Sequence, residues 1–349
     1  MSRRYENPSP FGTHRVLEPP GVLPQPAWRI DNAMVIAANE ILIDVDTLNI
    51  DSASFTQIKG EVGADADRIA AEVLRIVGER GKMHNPVTGS GGMLIGTVRE
   101  IGRALAGRDA LAVGDRIATM VSLSLTPLQI DRIKAVHIER DQIEVEGQAV
   151  LFASGLYARL PDDIPRTTAL AILDVAGAPA QTARLVKTGD TVVVIGGGGK
   201  SGTLCCYQAR QSAGARGTVI GVSPFAADCT RMRELGWVDQ ALQVDARDAV
   251  ALMNAVATAT GGRMADVTIN CVNIQHTEMG SILATREGGR IYFFSMATSF
   301  TAAALGAEGV GKDVEMIVGN GYARGHAELA LGLLRQSPRL RRLFEEIYT

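Results

Sequence analysis

The sequence predicts an α/β protein of two domains, an antiparallel β-rich first half and a doubly wound parallel sheet in the second. Three observations carry this. TVVVIGGGGKSGTLC at 191–205 joins a β-branched run to a glycine cluster and then to a helical segment. Helix and strand patterns alternate from there to about residue 320. Before it, short strands and turn residues dominate, with period-two alternation in EILIDVDTLNI at 40–50.

The 349 residues are 46% hydrophobic, enough apolar mass for two cores. A net charge of -3 gives no electrostatic case for nucleic acid or an anionic membrane. No run of about 18 apolar residues is present to span a bilayer. The arginines of MSRRYENPSPFG have no apolar core behind them, so this stretch does not read as a secretory signal. Cys205, Cys206, Cys229 and Cys271 fall in or beside predicted helices and strands of the second half. They read as reduced packing residues rather than a disulfide or zinc framework, and the expected location is cytoplasmic.

Residues 1–28, punctuated by Pro8, Pro10, Pro19, Pro20, Pro24 and Pro26, read as an extended arm held by contacts. Within it, His14 and Arg15 are either a solvated surface pair or, for Arg15, a carboxylate clamp using its planar fork. EILIDVDTLNI places Ile41, Ile43, Val45 and Leu48 inward and Leu42, Asp44 and Asp46 outward. DSASFTQI at 51–58 reads as a site-forming turn. Residues 61–80 form an amphipathic helix with Ile69, Val73, Leu74 and Val77 on one stripe. GKMHNPVTGSGGMLIG at 81–96 then crowds Lys82, His84, Asn85, Thr88 and Ser90 onto a glycine-rich loop, which suits a binding site or a hydrophilic turn.

VGDRIATMV at 113–121 is a tight turn into another strand. Short strands continue over 123–147 with His137 exposed, and LFASGLYARLP at 151–161 completes the first domain. From Asp162 the pattern turns helical, over 167–187. Asp174 falls inside this apolar segment, and a buried carboxylate is costly unless paired. It is therefore a helix cap or a functional group.

Val192 to Ile195 read as a strand buried on both faces, as a parallel sheet requires. Gly197, Gly199 and Gly202 fit G-x-G-x-x-G in full; the register Gly196, Gly198, Ser201 fits less well. In that motif the first glycine makes the tight turn and the second admits a pyrophosphate. The third lets helix and strand pack, with the phosphates at the helix N-terminus. A nucleoside-triphosphate loop would need glycine where Val194 stands. Lys200 and Ser201 open the helix, which ends on Gly214. The next strand, 217–223, ends on Ser223 where an acid would bind the ribose, and serine leaves NAD and NADP both open. Cys271, Asn273 and Ser295, at the ends of ADVTINCVN (265–273) and GRIYFFSM (289–296), complete the cofactor candidates. VEMIVGNGY at 314–322 is a last strand, followed by helices at 325–336 and 340–348. YFFSMATSFTAAALG at 292–306 offers an apolar strand edge for pairing with a second copy.

Together, IGTVREIG (95–102), VGDRI (113–117) and VVVIGGGGKSG (192–202) resemble the medium-chain dehydrogenase/reductase superfamily. The resemblance implies a GroES-like antiparallel β-barrel catalytic domain over 1–160 and a Rossmann doubly wound sheet over 161–325. C-terminal helices over 326–349 and a homodimer are also implied. Zinc-dependent members carry Cys after the first long strand and Gly-His-Glu before the GTVxxVG strand. This chain has Asn49 and Gly91-Gly92-Met93 there, and no four-cysteine lobe. Glycine and methionine cannot replace His and Glu as zinc ligands, so no metal is expected.

Within the superfamily, PFGTHRV, GVLPQPAW, NEILIDVDTLNIDSASFTQI and GKMHNPVTGSGGMLIG look like the L-erythro-3,5-diaminohexanoate dehydrogenase family. That implies NAD(P)-dependent oxidative deamination of 3,5-diaminohexanoate to 5-amino-3-oxohexanoate and ammonia, in lysine fermentation, with NAD favoured. Hydride leaves the amine-bearing carbon only when the amine, with a pKa of roughly 10, has lost a proton to a positioned base. Asp51, His84 and Asp174 are the candidates for proton transfer and ammonium binding. On the resemblance, Asp51 and Asp174 lie where the first and third zinc ligands would fall. Arg15 and Lys82 are candidates for the substrate carboxylate, with Thr56, Asn85, Thr88 and Ser90 as hydrogen-bonding neighbours. The alternatives are a zinc-free NADPH-dependent quinone or enone reductase, which would want an apolar pocket, and a nucleotide-binding module without activity.

Overall fold

A computed structural model describes residues 8–107, 111–295, 297–319 and 321–347, in two units spanning Met1–Arg166 and Thr167–Thr349. The start of the proline-rich arm, residues 1–7, lies outside the described residues, as do Met296, Asn320 and Tyr348 of the predicted last strands and helix.

In the first unit a 3-10 turn at Thr13–Arg15 leads into β1 (Val16–Glu18), which pairs antiparallel with β2 (Arg29–Ile30). Then follow β3 (Glu40–Asn49), α1 (Ser52–Val62), α2 (Ala66–Arg80) and β4 (Met93–Ile101). β5 (Arg116–Thr119), β6 (Leu128–His137), β7 (Gln142–Phe152) and β8 (Tyr157–Arg159) complete the unit. Six of these strands make one antiparallel sheet in the order β6-β7-β3-β4-β5-β8. Ile43, Val45 and Leu48 of β3 bury one face with Leu94, Ile117 and Ile143, and Phe55, Ile58, Ile69, Val73 and Ile76 of α1 and α2 cover it. Leu42, expected outward, is buried too, because Ile36, Val150 and Phe152 close the other face. Asp44 and Asp46 do face outward, into ion pairs with Arg99 and Arg116.

Residues 51–58, expected as a turn, instead start α1. The Asp51 carboxylate accepts the Ser54 N–H at 3.1 Å, capping the helix. The second helix begins at Ala66 rather than at residue 61, since Gly63 has φ 86° and Asp65 supplies a fresh cap. Ile76 takes the place on the buried stripe expected for Leu74, which is 41% exposed. The His137 side chain is exposed, as expected, and pairs with Glu144 at 2.8 Å.

The second unit opens with α3 (Arg166–Leu173) and α4 (Gly177–Leu185). Next come β9 (Thr191–Ile195), α5 (Lys200–Ala213), β10 (Thr218–Ser223), α6 (Ala226–Leu235), β11 (Gln240–Gln243) and α7 (Ala249–Thr260). After these come β12 (Ala265–Asn270), α8 (Glu278–Ala284), β13 (Thr285–Phe293), α9 (Phe300–Gly309), β14 (Val314–Val318), α10 (His326–Gln336) and α11 (Pro338–Ile347). The sheet is wholly parallel, ordered β11-β10-β9-β12-β13-β14. Val192 and Val194 pack into one facial core and Val193 and Ile195 into the other, as a strand covered by helices on both sides requires. Strand order reverses between β9 and β12, the crevice where such sheets bind ligands.

Two expectations are corrected here. The helical segment 167–187 is broken into α3 and α4, and Asp174 sits exposed in the break, so it is not a buried carboxylate. The stretch 292–306 is not a strand edge: Tyr292 and Phe293 end the interior strand β13, and 300–309 is helical. Among the described residues the edges of this sheet are β11 and β14.

Candidate active site

The nucleotide half is built at the carboxyl ends of β9, β10, β12 and β13. The turn after β9 takes its positive φ, 82°, at Gly196 rather than at Gly197, the motif's first glycine. Gly197 is small for another reason: a Cβ there would stand 2.7 Å from Met232 Sδ of α6. At Gly202 a Cβ would lie 1.9 Å from the Gly196 carbonyl oxygen, so the third glycine does let helix meet strand. Gly199 caps α5, and a Cβ there meets nothing nearer than 3.5 Å. Lys200, Ser201 and Gly202 follow, with first-turn N–H groups that have no acceptor within the helix. A glycine cradle with one open face at a helix N-terminus fits a dinucleotide pyrophosphate.

Around this cradle, Ser223 is buried and its Oγ donates to Asp228 Oδ2 at 2.7 Å. Arg231 Nη2 donates to Asp228 Oδ1 and to the Gly198 carbonyl, both at 2.6 Å. The Asp228–Arg231 pair escaped the sequence reading because it comes from the helix after β10. An acid in that helix's first turn was its only sequence signal. Ser295 Oγ donates to Asn273 Oδ1 at 3.2 Å, beyond the ends of β13 and β12. Cys271, partly buried, lies with its Sγ 3.7 Å from Cys205 Sγ; that contact and then burial push its thiol well above the ordinary range. Asp174 Oδ2 accepts from Lys200 Nζ at 2.6 Å, tying the α3–α4 break to the first residue of α5.

The first unit holds a second cluster where the 85–90 loop folds onto the start of α1. Ser90 Oγ donates to Asp51 Oδ2 at 2.7 Å, while Oδ1 of Asp51 caps the helix. Thr88 Oγ1 and Ser54 Oγ share a hydrogen bond of 2.5 Å. Asn85 is fully buried: its amide donates to Gln57 at 2.8 Å and its oxygen accepts from Val87 and Thr88 N–H. It shapes the loop rather than facing a ligand. Thr56 does not join this cluster. Its helical position points to solvent, and Ser54 and Gln57 supply the contacts instead.

Both expected carboxylate clamps are corrected. Arg15 is fully buried, held by Glu40 at 2.7 Å through each of two nitrogens and by the carbonyls of Asp31, Ala33 and Val35. Burial alone would raise the Glu40 carboxyl, but bonds from Arg15 and His14 hold it down at about 2. The pair is a structural anchor for the arm. Lys82 is also fully buried, and its Nζ donates to the Pro24 and Gln25 carbonyls at 2.6 and 2.9 Å. Burial, then the Arg80 charge, lowers its pKa to about 7.

His84 is corrected as a base. Arginine has no acceptor, so Arg80 Nη1, 3.2 Å away, donates to His84 Nδ1. The neutral ring then carries its proton on Nε2 and acts as a donor. Burial, followed by the Lys82 and Arg80 charges, lowers its pKa to about 4.

At the positions where zinc-dependent relatives place ligands, a Cβ on Gly92 would meet the Asn49 carbonyl oxygen at 2.0 Å, and one on Gly91 the Met83 carbonyl oxygen at 2.3 Å. The backbone there leaves no room for a ligand side chain. Among the described residues, no three His, Cys, Asp or Glu side chains converge as a metal site. Nor is any helix among them long and apolar enough to cross a membrane.

The chain is similar to known proteins along nearly its whole length. Residues 14–161 match the family model described as L-erythro-3,5-diaminohexanoate dehydrogenase N-terminal domain. The L-erythro-3,5-diaminohexanoate dehydrogenase of Acetoanaerobium sticklandii is 58% identical over 338 residues, covering 97% of this chain and 98% of its own. That of Fusobacterium nucleatum is 55% identical with the same coverage. Among solved structures, a Pseudomonas syringae quinone oxidoreductase has a TM-score of 0.57 at 16% identity, covering 87% of this chain and 82% of its own. A Thermus alcohol dehydrogenase has a TM-score of 0.54 at 16% identity, covering 90% and 89%. These two share the fold, a GroES-like sheet with a Rossmann domain. The identity along nearly the whole length shows that the chain belongs to the L-erythro-3,5-diaminohexanoate dehydrogenase family.

Proposed function

We propose that the chain catalyses oxidative deamination of L-erythro-3,5-diaminohexanoate to 5-amino-3-oxohexanoate and ammonia, with NAD preferred over NADP, in lysine degradation. The observation that carries this is the 58% identity over 97% of the chain to an enzyme of that name. The substrate ammonium, water and NAD+ give the ketone, NH4+, NADH and one proton. When bound, the nicotinamide accepts the hydride; the remaining work falls to side chains.

The Asp51 carboxylate, fixed by the Ser54 N–H and the Ser90 hydroxyl, is positioned to take a proton from the ammonium or the attacking water. Asp174, held by Lys200, is the carboxylate candidate of the second unit. His84 donates a hydrogen bond through Nε2 rather than accepting a proton. The glycine cradle, Lys200 and Ser201 receive the pyrophosphate, with Asn273 and Ser295 at neighbouring strand ends. NAD is favoured by the family; at Ser223 the Asp228 carboxylate is balanced by Arg231, and its bond to Ser223 places an acceptor where a ribose hydroxyl would be bound. The glycines at 91–92 support a reaction without zinc, and the reduced cysteines a cytoplasmic site. A quinone reductase would want apolar walls, which the Asp51–Ser90–Thr88 cluster does not provide.

The test is a spectrophotometric assay of NAD and NADP reduction with the diamino acid, with ammonia counted. Equimolar NADH and ammonia, faster with NAD and indifferent to a chelator, is the expected result. Absence of turnover would sink the substrate assignment, and chelator sensitivity would sink the metal-free one.

A further inference from the structure

Arg80 closes α2, where a cation is favoured by the helix dipole. That explains a basic residue but not its surroundings. The side chain is withdrawn from water, the residue being 6% exposed. Its guanidinium lies under the Trp28 ring, with Cζ 4.0 Å from the ring centroid, and Nη1 bonds His84 Nδ1. Among the described residues no Asp or Glu forms an ion pair with Arg80, Lys82 or His84. The neighbouring Glu79 carboxylate is bonded to Arg75 at 2.8 Å. Arg15 offers the contrast within the same unit: fully buried, it has Glu40 on two of its nitrogens.

A buried cation without an anion is costly, and a planar fork with free donors is the group that grips a carboxylate in two-point fashion. We propose that Arg80 binds the substrate carboxylate under Trp28, with His84 as a second donor and Lys82 as a positioning residue. His84 is fit for this because Nδ1 is occupied by Arg80, leaving Nε2–H to reach a ligand oxygen. Lys82 acts indirectly: it holds the Pro24 and Gln25 carbonyls and so fixes the segment that carries Trp28. The ligand class is a short β-amino carboxylate, whose reacting amine is two carbons from the carboxyl group. Fixing the carboxylate then fixes which of two amines is oxidised. The substrate named here rests on the function proposed above; the anion site does not.

The experiment compares wild type with Arg80→Gln and Arg80→Lys as full chains, on the diamino acid and on 2,4-diaminopentane, the same skeleton without the carboxylate. Arg80→Gln should raise KM for the diamino acid on the order of 10–100-fold, the range of a lost charged hydrogen-bond pair. The KM for NAD and the efficiency on 2,4-diaminopentane should stay within about twofold. Arg80→Lys, which keeps the helix-end charge but not the fork, should fall between. Calorimetric titration of 3-aminobutanoate into the NADH complex supplies a reading free of turnover: wild type binds and Arg80→Gln does not. Equal losses on both substrates, or an unchanged KM for the diamino acid, would overturn the proposal. If wild type fails to turn over the diamino acid yet binds 3-aminobutanoate through Arg80, the substrate reading falls and the anion site stands. Binding indifferent to Arg80 removes the site.

Discussion

Lys82 is fully buried, and its ammonium meets two carbonyls but no carboxylate. A neutral amine has two N–H donors, enough for both, so losing the third proton leaves no bond unmade. With its pKa lowered from 10.5 to about 7, the folded chain holds fewer protons at this site than the unfolded chain across that window. Stability therefore rises with pH there, by up to about 1.4 kcal/mol per unit. Buried thiols and Tyr292, whose pKa values are raised, act with the opposite sign at the alkaline end. The difference between wild type and Lys82→Met isolates the lysine. Urea unfolding at pH 7.5 and 9.5 should show wild type gaining on the variant as pH rises; parallel curves would refute the assignment. Asp228 gives a second prediction at this scale. Replacing it with Asn keeps an acceptor for Ser223 but removes the charge that balances Arg231, so calorimetry should show NADP+ binding tightened about tenfold relative to NAD+. An unchanged ratio would move the discrimination elsewhere.

At the scale of elements, α1 shows why part of the site was illegible. SASF carries two serines and no strong apolar period, so its composition resembles a turn; the helix forms because Asp51 caps it and Phe55 and Ile58 find a core. Only once 51–58 is helical do Ser54 and Gln57 point together and Thr56 away. Likewise Arg80 reads in sequence as one more charge at the end of an amphipathic helix, and that no carboxylate among the described residues pairs with it is visible only in three dimensions. The same cap separates two roles of Asp51. Asn caps as well as Asp through its one oxygen, and its amide NH2 donates to Ser90 Oγ where the carboxylate accepted, but it takes up no proton. Asp51→Asn should keep the melting temperature within a degree or two while cutting kcat on the order of 100-fold or more. Asp51→Ala should lose activity and also about 1 kcal/mol of stability. If Asp51→Asn retains full turnover with normal pH dependence, Asp51 is a cap and nothing more.

For the whole molecule, the strands and glycine loop were legible because buried parallel strands and phosphate turns are local patterns. Sheet order was not, since an edge is defined by the absence of a neighbour. The apolar run at 292–306 therefore looked like an edge, although it ends an interior strand and then turns helical. The edges are β11 and β14, and at β14 Ala303 and Ala307 of α9 pack against its Val314 and Met316. That packing leaves Phe300 72% and Val318 54% exposed, with Leu305 and Val310 also open. An edge strand with unpaired backbone groups and an adjoining apolar surface invites pairing with a second copy. We propose a homodimer joined through β14, which would continue the parallel sheets of two chains into one. Light scattering at micromolar concentration should give twice the chain mass. Phe300→Lys with Val318→Lys should halve it, since two buried like charges per chain would face their copies across the joint. Circular dichroism should show the fold intact, because both side chains point away from the core. A wild type that runs as a single chain, or a double variant that stays paired, would place the contact on another face.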